Sequence, residues 1–275
     1  MKIVNLIENT EGTAGCISAH GLSFYIETEK HRILCDLGPS EDTLKNAALL
    51  GIDLKSVDTV ILSHGHYDHS GGIIPFSKVN DTALIYMQKS AADDYYADDG
   101  EAAEGDRYRY IGIDKEITKL SQLRTVDGDY VIDDELSLFV MEETGRLPFT
   151  NVRLKRRENS GYVQDDFRHE QFLVIREKDR NVLLSGCAHN GILNIVNEYN
   201  RKYGSDPDMV ISGFHLMKKT DYKEHQIREI TDTAEELARH DTVFYTCHCT
   251  GIPAYEIMKE IMGDKLRYVH SGDKI

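Results

Sequence analysis

An α/β fold in one unit is the architecture this sequence predicts, and three observations carry it. Short β-branched and apolar runs punctuated by glycine open the chain, and strand and helix patterns alternate after residue 170. No internal repeat, Pro-rich linker or break in composition marks a second domain. At 275 residues the chain exceeds an ordinary domain, but folds built on two large sheets reach that size, so residues 1–275 are expected to form one. Hydrophobic residues make up 40%, enough to close a core, which sets a disordered chain aside.

Taken in order, the runs Lys2 to Ile7, Ser23 to Thr28 and Arg32 to Asp36 predict an antiparallel start, with Gly12, Gly15 and Gly21 between them. Thr59 to Ser63 reads as a buried strand, and Ala83 to Tyr86 as another. From about Gln88 to Leu123 apolar periodicity is weak. Asp93, Asp94, Asp98, Asp99, Glu101, Glu104 and Asp106 are interleaved there with Tyr95, Tyr96, Tyr108 and Tyr110. The expectation is a solvated, acidic and Tyr-rich insertion. The sharper alternative is a lid whose tyrosines stack on a flat substrate. Arg153-Leu154-Lys155-Arg156-Arg157 is a basic patch, either a solvated face or a contact for phosphate.

The second half is more regular. Gln171 to Arg176 and Asn181 to Ser185 pair around a turn at Lys178 to Asn181. Asn190 is placed to cap a helix whose apolar face is Ile192, Ile195, Val196, Tyr199 and Tyr203, and Gly204 ends it. Strand Met209 to Ser212, a helix near Tyr222 to Arg239, strand Thr242 to Thr246 and helix Pro253 to Met262 follow.

Charge and cysteine usage narrow the function classes. With 32 basic and 47 acidic side chains the formal net charge is −15, which works against nucleic acid or an anionic membrane as partner. No apolar run approaches the roughly 18 residues of a membrane span. Residues 1–9 turn polar too early for a signal peptide, and a cytoplasmic location is the expectation. Five cysteines (Cys16, Cys35, Cys187, Cys247, Cys249) without a CxxC pair suit a reducing compartment better than a disulfide framework. Oligomeric state leaves no mark on the sequence.

The chemistry concentrates in Ser63-His64-Gly65-His66-Tyr67-Asp68-His69-Ser70-Gly71-Gly72. A buried strand delivers three histidines and an aspartate at its C-terminal end, where open α/β sheets place ligands. His64 and His66 are two apart, so both imidazoles can point one way from an extended loop and clasp one metal. Asp68 and His69 can face a second metal as the chain turns toward a helix. A chance cluster of this kind is expected in roughly a few chains per thousand, so metal binding is the reading.

This HxHxDH pattern resembles the metallo-β-lactamase-fold superfamily. Leu34-Cys35-Asp36-Leu37-Gly38 is similar to that fold's early strand-end aspartate. Three further segments, Ser185 to Ile192 (SGCAHNGI), Gly213-Phe214-His215-Leu216 and Thr246 to Gly251 (TCHCTG), resemble one branch, as does Asp165 to Gln171. That branch holds the 7,8-dihydropterin-6-yl-methyl-4-(β-D-ribofuranosyl)aminobenzene 5′-phosphate synthase-like proteins, and the matches span residues 34–251. The resemblance implies a four-layer αββα sandwich, two mixed sheets with helices on the outer faces. It further implies two divalent metal ions, zinc first with iron or manganese as alternatives.

By the same resemblance His248 joins Asp68 and His69 at the second metal, and Asp36 orients the histidine loop. His189 or His169 completes the first metal with His64 and His66, and His189 is preferred. Cys187 stands where the superfamily has a bridging acid, which leaves open whether a protein group bridges the metals. Glu170 is a further oxygen ligand or base to consider. Asp68 and His215 are the candidate catalytic groups, and His215 and Asn190 the candidate substrate contacts, Asn190 opening a helix whose free N–H groups suit an anion. The implied activity is metal-dependent hydrolysis, or condensation of a pterin methyl diphosphate with a phosphorylated ribosyl arylamine, on a small anionic substrate. A generic phosphodiesterase, esterase or lactonase, and a non-catalytic metal-dependent binding protein, are the alternatives.

Overall fold

The structure is a computed structural model that describes residues 1–101, 105–143 and 145–275; Glu104 of the acidic stretch lies outside the described residues. The chain opens with β1 (Lys2–Ile7), β2 (Ser23–Glu27) and β3 (Arg32–Cys35), paired antiparallel as expected. After α1 (Asp42–Leu49), β4 (Thr59–Ile61) pairs parallel to β3. The strand stops two residues short of its expected end because the Ser63 N–H is captured by Asp36 Oδ1 at 2.8 Å. Short helices α2 (Tyr67–Ser70) and α3 (Ile73–Ser77) lead to β5 (Leu84–Gln88), again parallel.

The stretch expected as an insertion at about 88–123 carries strands of its own. β6 (Tyr95–Asp98) and β7 (Tyr108–Tyr110) leave the first sheet, and β8 (Leu123–Val126) returns to its edge beside β5. β9 (Tyr130–Val131) and β10 (Leu136–Phe139) start the second sheet. The basic patch is β11 (Leu154–Glu158), hairpinned to β12 (Gly161–Gln164) and paired to β6, so insertion and patch form a third, antiparallel sheet of four strands. These strands are short and largely polar, which is why no periodicity announced them.

From there the alternation holds. β13 (Phe172–Glu177) and β14 (Arg180–Leu184) form a hairpin, α4 (Ile192–Tyr203) leads to β15 (Met209–Ser212), and α5 (Glu224–Leu237) leads to β16 (Val243–Thr246). α6 (Ile252–Met262) precedes β17 (Leu266–Tyr268), and β14 to β17 run parallel. One correction concerns α4: its first turn opens on Gly191 (φ 86°), and Asn190 makes no cap.

Alternation along the strands builds the layers. Leu173, Ile175 and Leu184 face Phe24, Ile33 and Ile61 between the two mixed sheets. Phe172, Val174 and Leu183 point the other way, under Ile195, Ile230 and Met258 of α4, α5 and α6. Val60, Leu62 and Ile85 turn outward to Ala47 and Phe76 of α1 and α3. The result is the expected αββα order, a six-stranded and a seven-stranded mixed sheet, with the four-stranded sheet added. No helix among the described residues is long and apolar enough to cross a membrane.

Candidate metal centre

The loops after β1, β4, β14, β15 and β16 converge on one pocket of about 220 Å³. Its walls include His66, Asp68, His189, His215 and His248. Donor atoms of His64, His66 and His189 lie within 4.8 Å of one another, and so do those of His20, Asp68 and His248. Asp68 Oδ2 is 3.5 Å from His248 Nε2 and 3.9 Å from His69 Nε2.

Each of four imidazoles is held by its Nδ1 edge. Ser63 Oγ donates to Asp36 Oδ2 (2.7 Å) and so accepts from His64 Nδ1 (2.8 Å). His69 Nδ1 donates to the same Asp36 oxygen at 2.6 Å. His189 Nδ1 meets Asn151 Oδ1 at 3.1 Å, while Asn151 Nδ2 donates to the His189 carbonyl at 2.6 Å. His248 Nδ1 donates to Asn9 Oδ1 at 2.7 Å, and its backbone N–H to Glu8 Oε2 at 2.9 Å. With a proton on every Nδ1, the Nε2 lone pairs face inward.

Those lone pairs test whether the site suits a metal. The Nε2 atoms of His64, His66, His189 and His248 are buried without a hydrogen-bond partner, as is Nδ1 of His215. An unpaired buried polar group costs roughly 1–3 kcal/mol, so a cluster of them is retained only where something else satisfies them. His248 Nε2 also faces a carboxylate oxygen of Asp68 at 3.5 Å, a contact that is favourable when a proton or a metal cation lies between them. The residues fit divalent metal ions.

Electrostatics point the same way at the first half-site, whereas at His69 burial is outweighed by the charges of Asp36 and Asp68, which raise the imidazole to about 9. Burial, then the neighbouring imidazoles, hold His64 and His189 well below the usual histidine range, and burial brings His66 down to about 3, so all three stay neutral as ligands must. Burial opposes the charge of Asp68, but His69 and His248 outweigh it and keep this carboxylate ionised. Burial pushes the Cys187 thiol well up. Burial also raises its neighbour Cys249, but contacts with Cys187, His248 and His215 reverse the sign and bring that thiol well down. Backbone strain gathers here too. Asp36, Ala188, His215 and His248 take φ of 58°, 52°, 48° and 48°, a left-handed conformation that costs non-glycine residues roughly 1–3 kcal/mol each.

Other candidates fall outside. His169 accepts from the Gly65 N–H at Nδ1 (3.0 Å) and donates from Nε2 to Asp165 Oδ2 (3.1 Å), so neither ring nitrogen is free. Glu170 takes the backbone N–H groups of His189 and Asn190 and the side-chain amide of Asn190. Asn190 is thereby corrected: its amide groups serve Glu170 and the Phe167 carbonyl, and it borders a different cleft. The lid tyrosines are corrected as well. Tyr95 is fully buried with its hydroxyl on the Ser90 carbonyl, and Tyr96, Tyr108 and Tyr110 line a separate outer cleft of the third sheet. That sheet turns Ala97, Arg109 and Leu154 toward the metal pocket instead. The basic patch brings only Leu154 to this pocket; Arg153 engages Asp98 and Asp99, and Arg156 engages Glu158 and Asp166.

Sequence reasoning missed His20, Asn9, Asn151 and Arg109. His20 Nε2 stands 3.4 Å from Asp68 Oδ2, and Arg109 is the only arginine or lysine on the pocket wall among the described residues. None sits in a spaced motif. The one available signal was Asn9 two residues past the opening strand.

Comparison with known proteins agrees with this fold. The model of the metallo-β-lactamase superfamily matches residues 19–148. A solved structure, Tm1679, described as a metal-dependent hydrolase of the β-lactamase superfamily, is 30% identical with a TM-score of 0.81, over 100% of this chain and 98% of its own. The 7,8-dihydropterin-6-methyl-4-(β-D-ribofuranosyl)-aminobenzene-5′-phosphate synthase of Methanocaldococcus jannaschii is 29% identical, over 99% of this chain and 95% of its own. A ribonuclease Z of Methanopyrus kandleri is 24% identical, over 96% of this chain and 86% of its own.

Proposed function

Because this chain belongs to the metallo-β-lactamase superfamily, we propose that it is a metal-dependent hydrolase or transferase with a dinuclear site, acting on a small phosphorylated or pterin-like substrate. The observation that carries this reading is the convergence of four unpartnered imidazole nitrogens, those of His66, His189, His215 and His248, and the Asp68 carboxylate on one pocket, with the unpartnered His64 Nε2 grouped with His66 and His189. His64, His66 and His189 would hold one ion, and Asp68, His69 and His248 the other. Zinc is the first choice for such nitrogen-rich sets, with iron or manganese as alternatives. When bound, divalent ions would acidify water and neutralise negative charge on a phosphate or carboxylate.

The chain's own groups supply the rest. Asp68 stays ionised at the pocket wall and orients the attacking group. His215 presents its unpartnered Nδ1 from the same wall and exchanges a proton with substrate or leaving group. Arg109, rather than the patch at 153–157, offers a fork of donors to a substrate anion. The relative named as the synthase of a 5′-phosphate compound supports such a group on the substrate. A pocket of about 220 Å³ and a net charge of −15 favour a small molecule over an RNA, despite the ribonuclease Z relative. Five free cysteines support a cytoplasmic location.

Metal analysis of protein purified without chelator, coupled to a turnover screen, tests the reading. The screen takes phosphoesters, esters, lactones and diphosphate-releasing condensations. Two ions per chain are expected, with metal and turnover both lost in His66→Ala and His248→Ala. Two ions retained in His248→Ala would sink the second half-site as drawn. Metal with tight ligand binding and no turnover on any substrate would make the protein a binding module.

A further inference from the structure

The outer face of the third sheet carries residues that the metal centre does not use. Its strand order is β12-β11-β6-β7. Alternation along these strands sends Tyr96, Tyr108, Tyr110, Arg157 and Tyr162 to the side turned away from the metal pocket, where they line a cleft of about 710 Å³. The rings interlock. Tyr108 stacks on Tyr162 with centroids 3.8 Å apart, and Tyr96 meets Tyr162 at 4.9 Å and Tyr110 at 5.4 Å. Arg107 lies 5.2 Å from the Tyr108 ring centre, and Arg157 lies 6.0 Å from that of Tyr162. Tyr110 and Tyr162 nonetheless stay exposed.

Side chains held in this way have already lost much of their rotamer freedom, so a partner that covers them costs little further ordering. Tyrosine and arginine are also enriched among the residues that dominate binding at protein interfaces. The charges indicate which partner fits. Arg107 is paired with Asp98, and Arg109 with Asp99. Arg157 and Asp106, of opposite sign and both on this cleft, have no ion-pair partner among the described residues. An isologous interface makes every contact twice, so a two-fold axis at the cleft lets each Arg157 meet the partner's Asp106. A polyanion such as RNA would instead meet Asp99 and Asp106. We propose that this face joins two copies of the chain in a two-fold dimer, with the tyrosines packed at its centre and each Arg157 paired with the partner's Asp106. The third sheet then stands between the second copy and the metal pocket, since its other face supplies Ala97, Arg109 and Leu154 to that pocket.

Sedimentation velocity over a concentration series tests this without reference to metal or substrate. The wild type should be a dimer at roughly 100 μM, where even a weak specific contact associates. Arg157→Asp and Asp106→Arg should each raise the dissociation constant about tenfold or more, since like charges then face each other twice. An equimolar mixture of the two variants should dimerise again, because in the mixed pair both contacts regain opposite signs. A folding defect could not give that recovery. A wild type that stays monomeric at this concentration would overturn the proposal. So would a dimer indifferent to both substitutions, or variants that fail to recover on mixing. A monomer that binds an oligouridine of about 12 nucleotides, and loses it in Arg157→Asp, would give the face to single-stranded RNA instead.

Discussion

Asp36 Oδ2 accepts the Nδ1 proton of His69 at 2.6 Å, across thirty-three residues of chain and with both groups out of contact with water. The same carboxylate takes the backbone N–H and the hydroxyl of Ser63. One side chain thus orients two imidazoles, His69 directly and His64 through Ser63. In Asp36→Asn the amide offers a donor where at least one donor already points. Metal affinity should fall roughly 10–100-fold, the usual cost of losing a partner behind a ligating histidine. Competition titration with a chromogenic chelator measures it, and unchanged affinity would show that Asp36 is a packing residue alone.

Gly186 precedes the sulfur of Cys187 and packs on the first half-site. A Cβ there would collide with Ser63 Oγ and come within 3.1 Å of His64 Nδ1. Gly186→Ala should therefore weaken the ion held by His64, His66 and His189 while leaving the other in place. A bound-metal count of one per chain is expected, against two in the wild type.

Arg109 should report on substrate charge. Its guanidinium pairs with Asp99 at 2.9 Å and is half-exposed, so it can turn to a bound anion. Arg109→Met should raise KM for phosphorylated substrates about tenfold, the loss of one charge-assisted hydrogen bond, with kcat nearly unchanged. Neutral ester or lactone substrates should be insensitive; equal losses for charged and neutral substrates would argue against an anion contact.

Chelation should cost stability as well as turnover. An ion bound only by the folded chain stabilises it by about 2.7 kcal/mol when present at a hundredfold excess over Kd. Thermal melts with and without chelator should differ by several degrees. The difference should shrink in His66→Ala and in His248→Ala, where one half-site is broken.

Away from the centre, His31 sits between Asp58 (2.8 Å) and Asp133 (2.6 Å). Burial works against its protonation, but the hydrogen bonds to both aspartates outweigh it and raise its pKa above the ordinary 6.5. Folding therefore favours the protonated form. Its contribution is complete below about pH 6.5 and is lost as pH rises through the folded-state pKa. The Tm difference between wild type and His31→Gln should be larger at about pH 5.5 than at about pH 9. An equal difference at both values would show that the ring's charge contributes nothing.

The sequence by itself determined the α/β class, the paired opening strands, the alternation after residue 170, and the cluster His64, His66, Asp68 and His69. These depend on periodicity and on spacing within one loop, where residues close in sequence are necessarily close in space. Asp36 was legible too, through its place in a strand-end motif. Tertiary structure alone decided what lies beyond each loop. Asn9 reaches His248 across 239 residues and Asn151 reaches His189 across 38, contacts that exist only because separate strands end at one sheet edge. The same convergence engages both nitrogens of His169 while leaving His189 Nε2 unpartnered, although both stood at plausible positions. It turned an apparently solvated insertion into a sheet that brings Arg109 to the pocket and pairs Arg153 and Arg156 with carboxylates. And it set the sulfur of Cys187 among imidazoles from four different strand ends, because hydrogen bonding and burial choose which donors remain free, and spacing along the chain does not.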